Sequence, residues 1–144
     1  MKKNILLLAV LIPFLASADN ADIQIKQKKA QDFYTKISAV MAKTDEARNA
    51  YQQGNPKLWK AINSDLEDLV KESDSEFGPA FSTPFQGCFK LGRDAQKLWT
   101  DKMTMSTNVS ITNREYENAK RECKQNIANP QVKNNDVAII DLTN

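Results

Sequence analysis

The spacing of the apolar residues constrains the fold of this 144-residue chain more than any other feature. From residue 23 to residue 128 they return every three or four positions, which is the period of a helix with one buried face. The pattern is interrupted near residues 54–56, 78–84 and 105–112. The sequence therefore predicts an all-α fold, a single four-helix bundle.

The first two helices have recognisable ends. The first runs from Ile23 to Gln53, and Gly54 ends it as a C-terminal glycine does. The second begins at Asn55-Pro56, with asparagine as N-cap and proline at the first helical position. Phe77-Gly78-Pro79 ends this second helix.

The other two helices are predicted by the same kinds of signal. The third begins at Thr83-Pro84 and runs to about Met105. The fourth begins at Thr112, where Glu115 three residues later completes a capping box, and ends at Asn129-Pro130.

Two glycines lie inside the third helix. Gly87 and Gly92 each weaken a helix by about 1 kcal/mol relative to alanine. We therefore expect another backbone to approach this helix closely near Cys88.

The amino-terminal residues have the pattern of a bacterial signal peptide. Met1-Lys2-Lys3 is a positively charged start, Ile5–Leu15 is apolar, and Ala16-Ser17-Ala18 is a small-residue cleavage site. The apolar run is shorter than the roughly 20 residues that a transmembrane helix needs. We predict a signal peptide at 1–18, a helical domain at 19–129 and a periplasmic or secreted product.

The chain has two cysteines and no histidine. In an oxidising compartment we expect Cys88 and Cys123 to form a disulfide rather than a redox-active dithiol, since their spacing is not CxxC. Without histidine, Ser-His-Asp and Cys-His catalysis and histidine-ligated metal centres are excluded. We predict no enzyme activity, no cofactor and no metal site.

The charge balance of the chain bears on whether its partner is a nucleic acid. Lys2 and Lys3 account for the excess of 20 basic over 18 acidic residues, so the chain after residue 18 is neutral. This charge balance gives no reason to expect a nucleic-acid partner. We expect a protein partner and no membrane-embedded segment. The oligomeric state stays open.

Residues 130–144 form a C-terminal tail. Residues 130–136 are polar, and Val137 to Leu142 is a short apolar run. We expect this run to dock on the bundle. A strand added to a partner's sheet is the alternative.

The sharpest indication of a binding surface is an acidic block next to a group of phenylalanines. Asp65, Asp68 and Glu72 lie at positions i, i+3 and i+7 and therefore on one helix face. The alternatives are a solvated helix face for the acids and a loop packed on the core for the aromatic residues. The predicted partner-binding residues are Asp65, Asp68, Glu72, Asp74, Glu76, Phe77, Phe81 and Phe85.

Export, size, helix content and one cysteine pair together resemble the small helical periplasmic immunity proteins that neutralise type VI secretion effectors. This resemblance implies an inhibitory protein that occludes the active site of a cell-wall-targeting effector. It rests on no motif, so it assigns no residue a role.

Two other functions stay open. One is a carrier of a small apolar ligand, held among Trp59, Trp99, Phe33 and Met41. The other is an envelope chaperone or stress adaptor, which would expose a large apolar patch.

Overall fold

The computed structural model describes residues 17–78 and 83–130. Within them the chain forms five α-helices and no strand, which confirms the all-α prediction. The predicted signal peptide, apart from Ser17 and Ala18 in the first helix, and residues 131–144 of the predicted tail lie outside the described residues. The helices are α1 (Ser17–Met41), α2 (Thr44–Gln52), α3 (Lys57–Phe77), α4 (Gln86–Met103) and α5 (Val109–Ala128).

The bundle consists of α1, α3, α4 and α5. Helix α1 packs against α3, α4 and α5, while α4 packs against both α3 and α5. The short helix α2 lies on α3 and α4. The arrangement is a four-helix bundle with one additional helical segment.

The first predicted helix is in fact two helices, because a turn at Ala42 and Lys43 interrupts it. The Thr44 hydroxyl donates a hydrogen bond of 2.8 Å to the carbonyl of Met41, and the Lys43 amide bonds to Val40 in a tightened turn. A threonine hydroxyl that takes a backbone carbonyl competes with the helical ladder. Thr44 is buried and lies at the spacing of the apolar face. The sequence pattern therefore gives no sign of the interruption.

The connection from α2 to α3 confirms the predicted glycine end. Gly54 has φ +84°, its amide donates to the carbonyl of Tyr51, and the Asn55 amide donates to that of Ala50. This is the paired hydrogen bonding of a Schellman motif. The Asn55 side chain then accepts a 3.1 Å bond from the amide of Lys57, where α3 begins.

Helices α4 and α5 begin differently from each other. Thr83 accepts a 3.1 Å bond from the Phe85 amide just before α4, much as Asn55 does before α3. The prediction that α5 begins at Thr112 is wrong, because the helix begins one turn earlier at Val109. Thr112 is buried inside that turn and donates to backbone carbonyls, and Glu115 pairs with Lys97 instead of completing a capping box.

Among the five described helices, α4 and α5 have the most extensive packing against each other. Cys88 and Cys123 form the predicted disulfide, with Cα atoms 4.4 Å apart and both residues fully buried. A Cβ atom on Gly87 would lie 2.5 Å from the backbone nitrogen of Cys123. The predicted close approach of a second backbone near Cys88 is therefore confirmed.

Candidate functional site

A groove of about 370 Å³ runs between α1 and α3 and is open to solvent. Apolar side chains and charged side chains line it together. Helix α1 contributes two of the lining residues and α3 contributes four. They are Lys36, Val40, Asp65, Asp68, Leu69 and Glu72.

The helical period explains why these side chains meet. Asp65, Asp68 and Glu72 follow one another along α3 at three- and four-residue steps, so they share a face beside the nearly buried Leu69. Three of the predicted binding residues are therefore brought together, as the sequence pattern indicates.

The groove carries three carboxylates and one ammonium group. Lys36 Nζ lies 3.0 Å from a carboxylate oxygen of Glu72, with the lysine side chain more than half exposed. Asp65 makes no ion pair with any residue that the structure describes. The groove therefore keeps an excess of negative charge facing solvent.

Asp68 forms only a long, exposed ion pair. Lys71 lies 3.5 Å from Asp68 but 3.0 Å from Glu67. The hydrogen bond and the charge of Glu67 are the main reasons why the pKa of Lys71 is raised, and Asp68 contributes less. Because all three side chains are about two-thirds exposed or more, solvent screens these pairs.

The rest of the predicted acidic block lies elsewhere. Asp74 faces α4 and pairs with Arg93 at 3.2 Å, and Glu76 pairs with Lys29 of α1 at 2.8 Å. Neither carboxylate lines the groove. The block is thus divided between two surfaces. Glu72 and Glu76, four residues apart, both face α1, whereas Asp74 faces α4.

The predicted aromatic anchors require a correction. Phe77 and Phe85 are 1% and 0% exposed, so they are core residues and not a surface for a partner. Phe77 contacts Phe33 edge to face with ring centroids 5.4 Å apart, and Phe85 packs beside it at 6.1 Å. The alternative interpretation, a connection packed on the end of the core, is confirmed at these two residues. Phe81 lies outside the described residues.

Sequence reasoning missed the α1 side of the groove. Lys36 and Val40 lie one turn apart on α1, and Lys29 and Lys36 are seven residues apart. These lysines meet Glu76 and Glu72, so α1 and α3 run antiparallel. The lysine spacing is visible in the sequence, but its meaning depends on knowing which helix is the neighbour.

The four residues predicted to hold an apolar ligand lie in the protein core or at its edge. Phe33 and Trp99 are core residues, and Met41 packs with them. Trp59 lies at the edge of the core against Tyr51, with ring centroids 5.6 Å apart. Three of these four side chains are therefore part of the packed core, and Trp59 lies at its edge.

Two features are absent from residues 17–78 and 83–130. No three histidine, cysteine, aspartate or glutamate side chains there come together as metal ligands. None of the five helices is long and apolar enough to cross a bilayer.

Comparison with known proteins gives no further assignment. No family model, no curated protein and no solved structure matches this chain.

Proposed function

We propose that the protein binds a basic protein partner in the groove between α1 and α3 and acts by contact rather than by chemistry. The observation that carries this proposal is the open groove, in which three carboxylates of α3 lie beside two apolar side chains and face a single lysine of α1. Lysine and arginine side chains have the complementary form, a charged head on an apolar stem.

The apolar stem of such a side chain packs on Val40 and Leu69. Its charged head then lies among Asp65, Asp68 and Glu72. Carboxylates gathered in one groove also attract a basic partner from a distance, which raises the association rate at low salt.

The lysine already in the groove is not a strong competitor. Lys36 and Glu72 form a partly exposed pair, and such pairs stabilise a protein by only about 0–1 kcal/mol. A partner's cation can therefore replace Lys36 beside Glu72 at little cost. The released Lys36 ammonium regains its hydration in solvent.

The disulfide supports export as part of the proposal. Structural disulfides persist in oxidising compartments such as the periplasm. With the predicted signal peptide, this favours an exported protein that meets its partner outside the cytoplasm. The resemblance to immunity proteins makes the finer proposal an inhibitor that occludes a toxic effector.

The test compares three forms of the oxidised protein as affinity baits in an envelope extract, followed by mass spectrometry. One bait is the wild type and one is the double variant Asp68→Lys/Glu72→Lys. The matched control is Glu46→Lys/Glu67→Lys, which makes the same charge change at exposed residues outside the groove.

We expect the wild type and the control to retain the same basic protein and the groove variant to lose it. Association of the captured protein with wild type should slow steeply with salt, whereas the groove variant should bind slowly at every salt concentration. Equal capture and equal low-salt rates for the two double variants would contradict the groove assignment. A captured hydrolase whose activity falls when this protein binds would support the inhibitory role.

A further inference from the structure

A second cleft, of about 200 Å³, lies where α1 ends and α2 begins. It is bounded by α4 and α5 and is separate from the α1–α3 groove. Its polar lining is rich in groups that donate hydrogen bonds. These are Ser38, Thr44, Lys102, Asn113, Tyr116 and Lys120.

The Ser38 hydroxyl is the first indication of a ligand. Its oxygen is buried and has no hydrogen-bond partner among the protein atoms described. Buried polar groups nearly always pair with protein or with water, so this hydroxyl is available to a partner from outside the chain. Ser38 lines the cleft, and a rotation of its hydroxyl group toward the cleft allows it to donate to an acceptor atom there.

Two lysines provide the positive charge. Lys102 is 17% exposed, and its Nζ donates to the Thr44 hydroxyl at 3.2 Å and pairs with Asp45 at 3.0 Å. Asp45 is 68% exposed, so solvent screens its charge more than that of the largely buried lysine.

Lys120 is the less committed of the two. Its Nζ lies over the Tyr116 ring, 5.6 Å from the centroid. It forms no ion pair with the residues described. Glu117 is the one acid among the described residues that line the cleft, and it is exposed.

Tyr116 adds a donor that stays protonated. Burial is the main cause that raises the pKa of Tyr116 to about 12, with the charge of Glu117 as a smaller cause. The phenol is therefore neutral at physiological pH and keeps its O–H. Apart from the Glu117 carboxylate, each polar side chain that lines this cleft carries a hydroxyl, ammonium or amide donor.

We propose that this cleft binds a small oxyanion, a carboxylate or phosphate group, between Lys102 and Lys120. The Ser38 and Tyr116 hydroxyls donate to its oxygens. Charge-assisted hydrogen bonds of this kind are stronger than neutral ones, and an oxyanion offers acceptor oxygens to these donors. The site does not depend on the partner proposed for the α1–α3 groove.

The test is an NMR titration of the ¹⁵N-labelled, oxidised protein at constant ionic strength. The probes are inorganic phosphate and acetate, with chloride as the reference ion. We expect saturable shifts around Ser38, Thr44 and Tyr116 with at least one probe, and the responding probe distinguishes phosphate from carboxylate chemistry.

Three variants then locate the site. Lys120→Gln should weaken binding about tenfold and Ser38→Ala about fivefold, as expected for losing a charged and a neutral hydrogen bond. Lys124→Gln, which removes an exposed charge one turn further along α5, should leave the affinity unchanged. Shifts no larger than those with chloride, or equal losses in Lys120→Gln and Lys124→Gln, would overturn the proposal.

Discussion

The two helix pairs α4–α5 and α1–α3 are held together in different ways. Between α4 and α5 lie a buried disulfide and a glycine with no room for a side chain. Between α1 and α3, partly exposed lysine–glutamate pairs lie above the core, at Lys29–Glu76 and Lys36–Glu72. Exposed lysine–glutamate pairs also join α4 to α5, at Lys90–Glu122 and Lys97–Glu115. The disulfide and the glycine contact are therefore what distinguishes α4–α5 from α1–α3, which is joined by surface contacts that other ions can replace.

This difference explains where a binding groove can form. Exposed ion pairs contribute little stability, so a partner can exchange them without unfolding the bundle. Regions that open locally tend to be those with few buried contacts. The α4–α5 pair supplies the rigid support, and the α1–α3 pair supplies the exchangeable surface.

Removing the disulfide should have the largest effect. The double variant Cys88→Ala/Cys123→Ala should lower the free energy of unfolding by about 4 kcal/mol, because the unfolded chain regains the freedom of the closed loop. Urea denaturation checks this, and reduction of the wild type should give a similar loss. A loss below about 1 kcal/mol would mean that packing alone holds α4 to α5.

Disturbing the close contact of Gly87 with α5 should cause the second-largest loss in the free energy of unfolding. Gly87→Ala should cost about 2–3 kcal/mol, since the new methyl group meets the backbone at Cys123, which cannot rotate away as a side chain can.

Gly54→Ala is the matched control for Gly87→Ala. No atom lies within 4 Å of the added Cβ atom, and only the positive φ is unfavourable. Its cost should be about 1 kcal/mol, from the same denaturation experiment. A larger loss at Gly54 than at Gly87 would contradict the close approach.

Removing an ion pair between α1 and α3 should change the free energy of unfolding, measured by urea denaturation, only slightly. Lys36→Met should alter the free energy of unfolding by less than about 1 kcal/mol. It should also strengthen binding of a capped tetralysine peptide, since it removes the one cation from the groove. Lys29→Met, outside the groove, serves as the control in calorimetric titration. Weaker peptide binding by Lys36→Met than by Lys29→Met would count against the exchange of cations.

The smallest expected effect concerns Asp94 of α4. Burial first, and then the charge of Glu115, raise the pKa of this carboxyl. The folded protein therefore binds the proton more tightly than the unfolded chain. That contribution is fully present below the ordinary pKa of 3.8 and is lost as pH rises through the raised value.

Asp94→Asn should accordingly raise Tm slightly at pH 7 and lose this advantage near pH 3. Thermal unfolding across that range measures the difference. An Asp94→Asn variant that is less stable than wild type at pH 7 would contradict the inferred sign.

Local signals in the sequence predict the connection between α2 and α3 well, whereas the capping box predicted at Thr112 and Glu115 does not form. Gly54 and Asn55 mark a helix end and the next beginning through contacts within a few residues. The break at Thr44 was missed, because a buried threonine fits the apolar period as well as an apolar residue does.

Predictions of which side chains form an exposed surface are less successful, because exposure depends on residues that are distant in the sequence. Asp65, Asp68 and Glu72 share a face by helical period alone. That Asp74 pairs with Arg93 is decided by which helices are neighbours. The burial of Phe77 and Phe85 depends on Phe33 in α1, which the local pattern around residues 77–85 does not reveal.

The most direct test of the central claim is an NMR titration of the ¹⁵N-labelled, oxidised protein with the capped tetralysine peptide. The account predicts shifts concentrated at residues 36, 40, 65, 68, 69 and 72, which disappear in Asp68→Lys/Glu72→Lys and persist in Glu46→Lys/Glu67→Lys. Shifts spread evenly over all exposed carboxylates, or centred on α4 and α5, would contradict it.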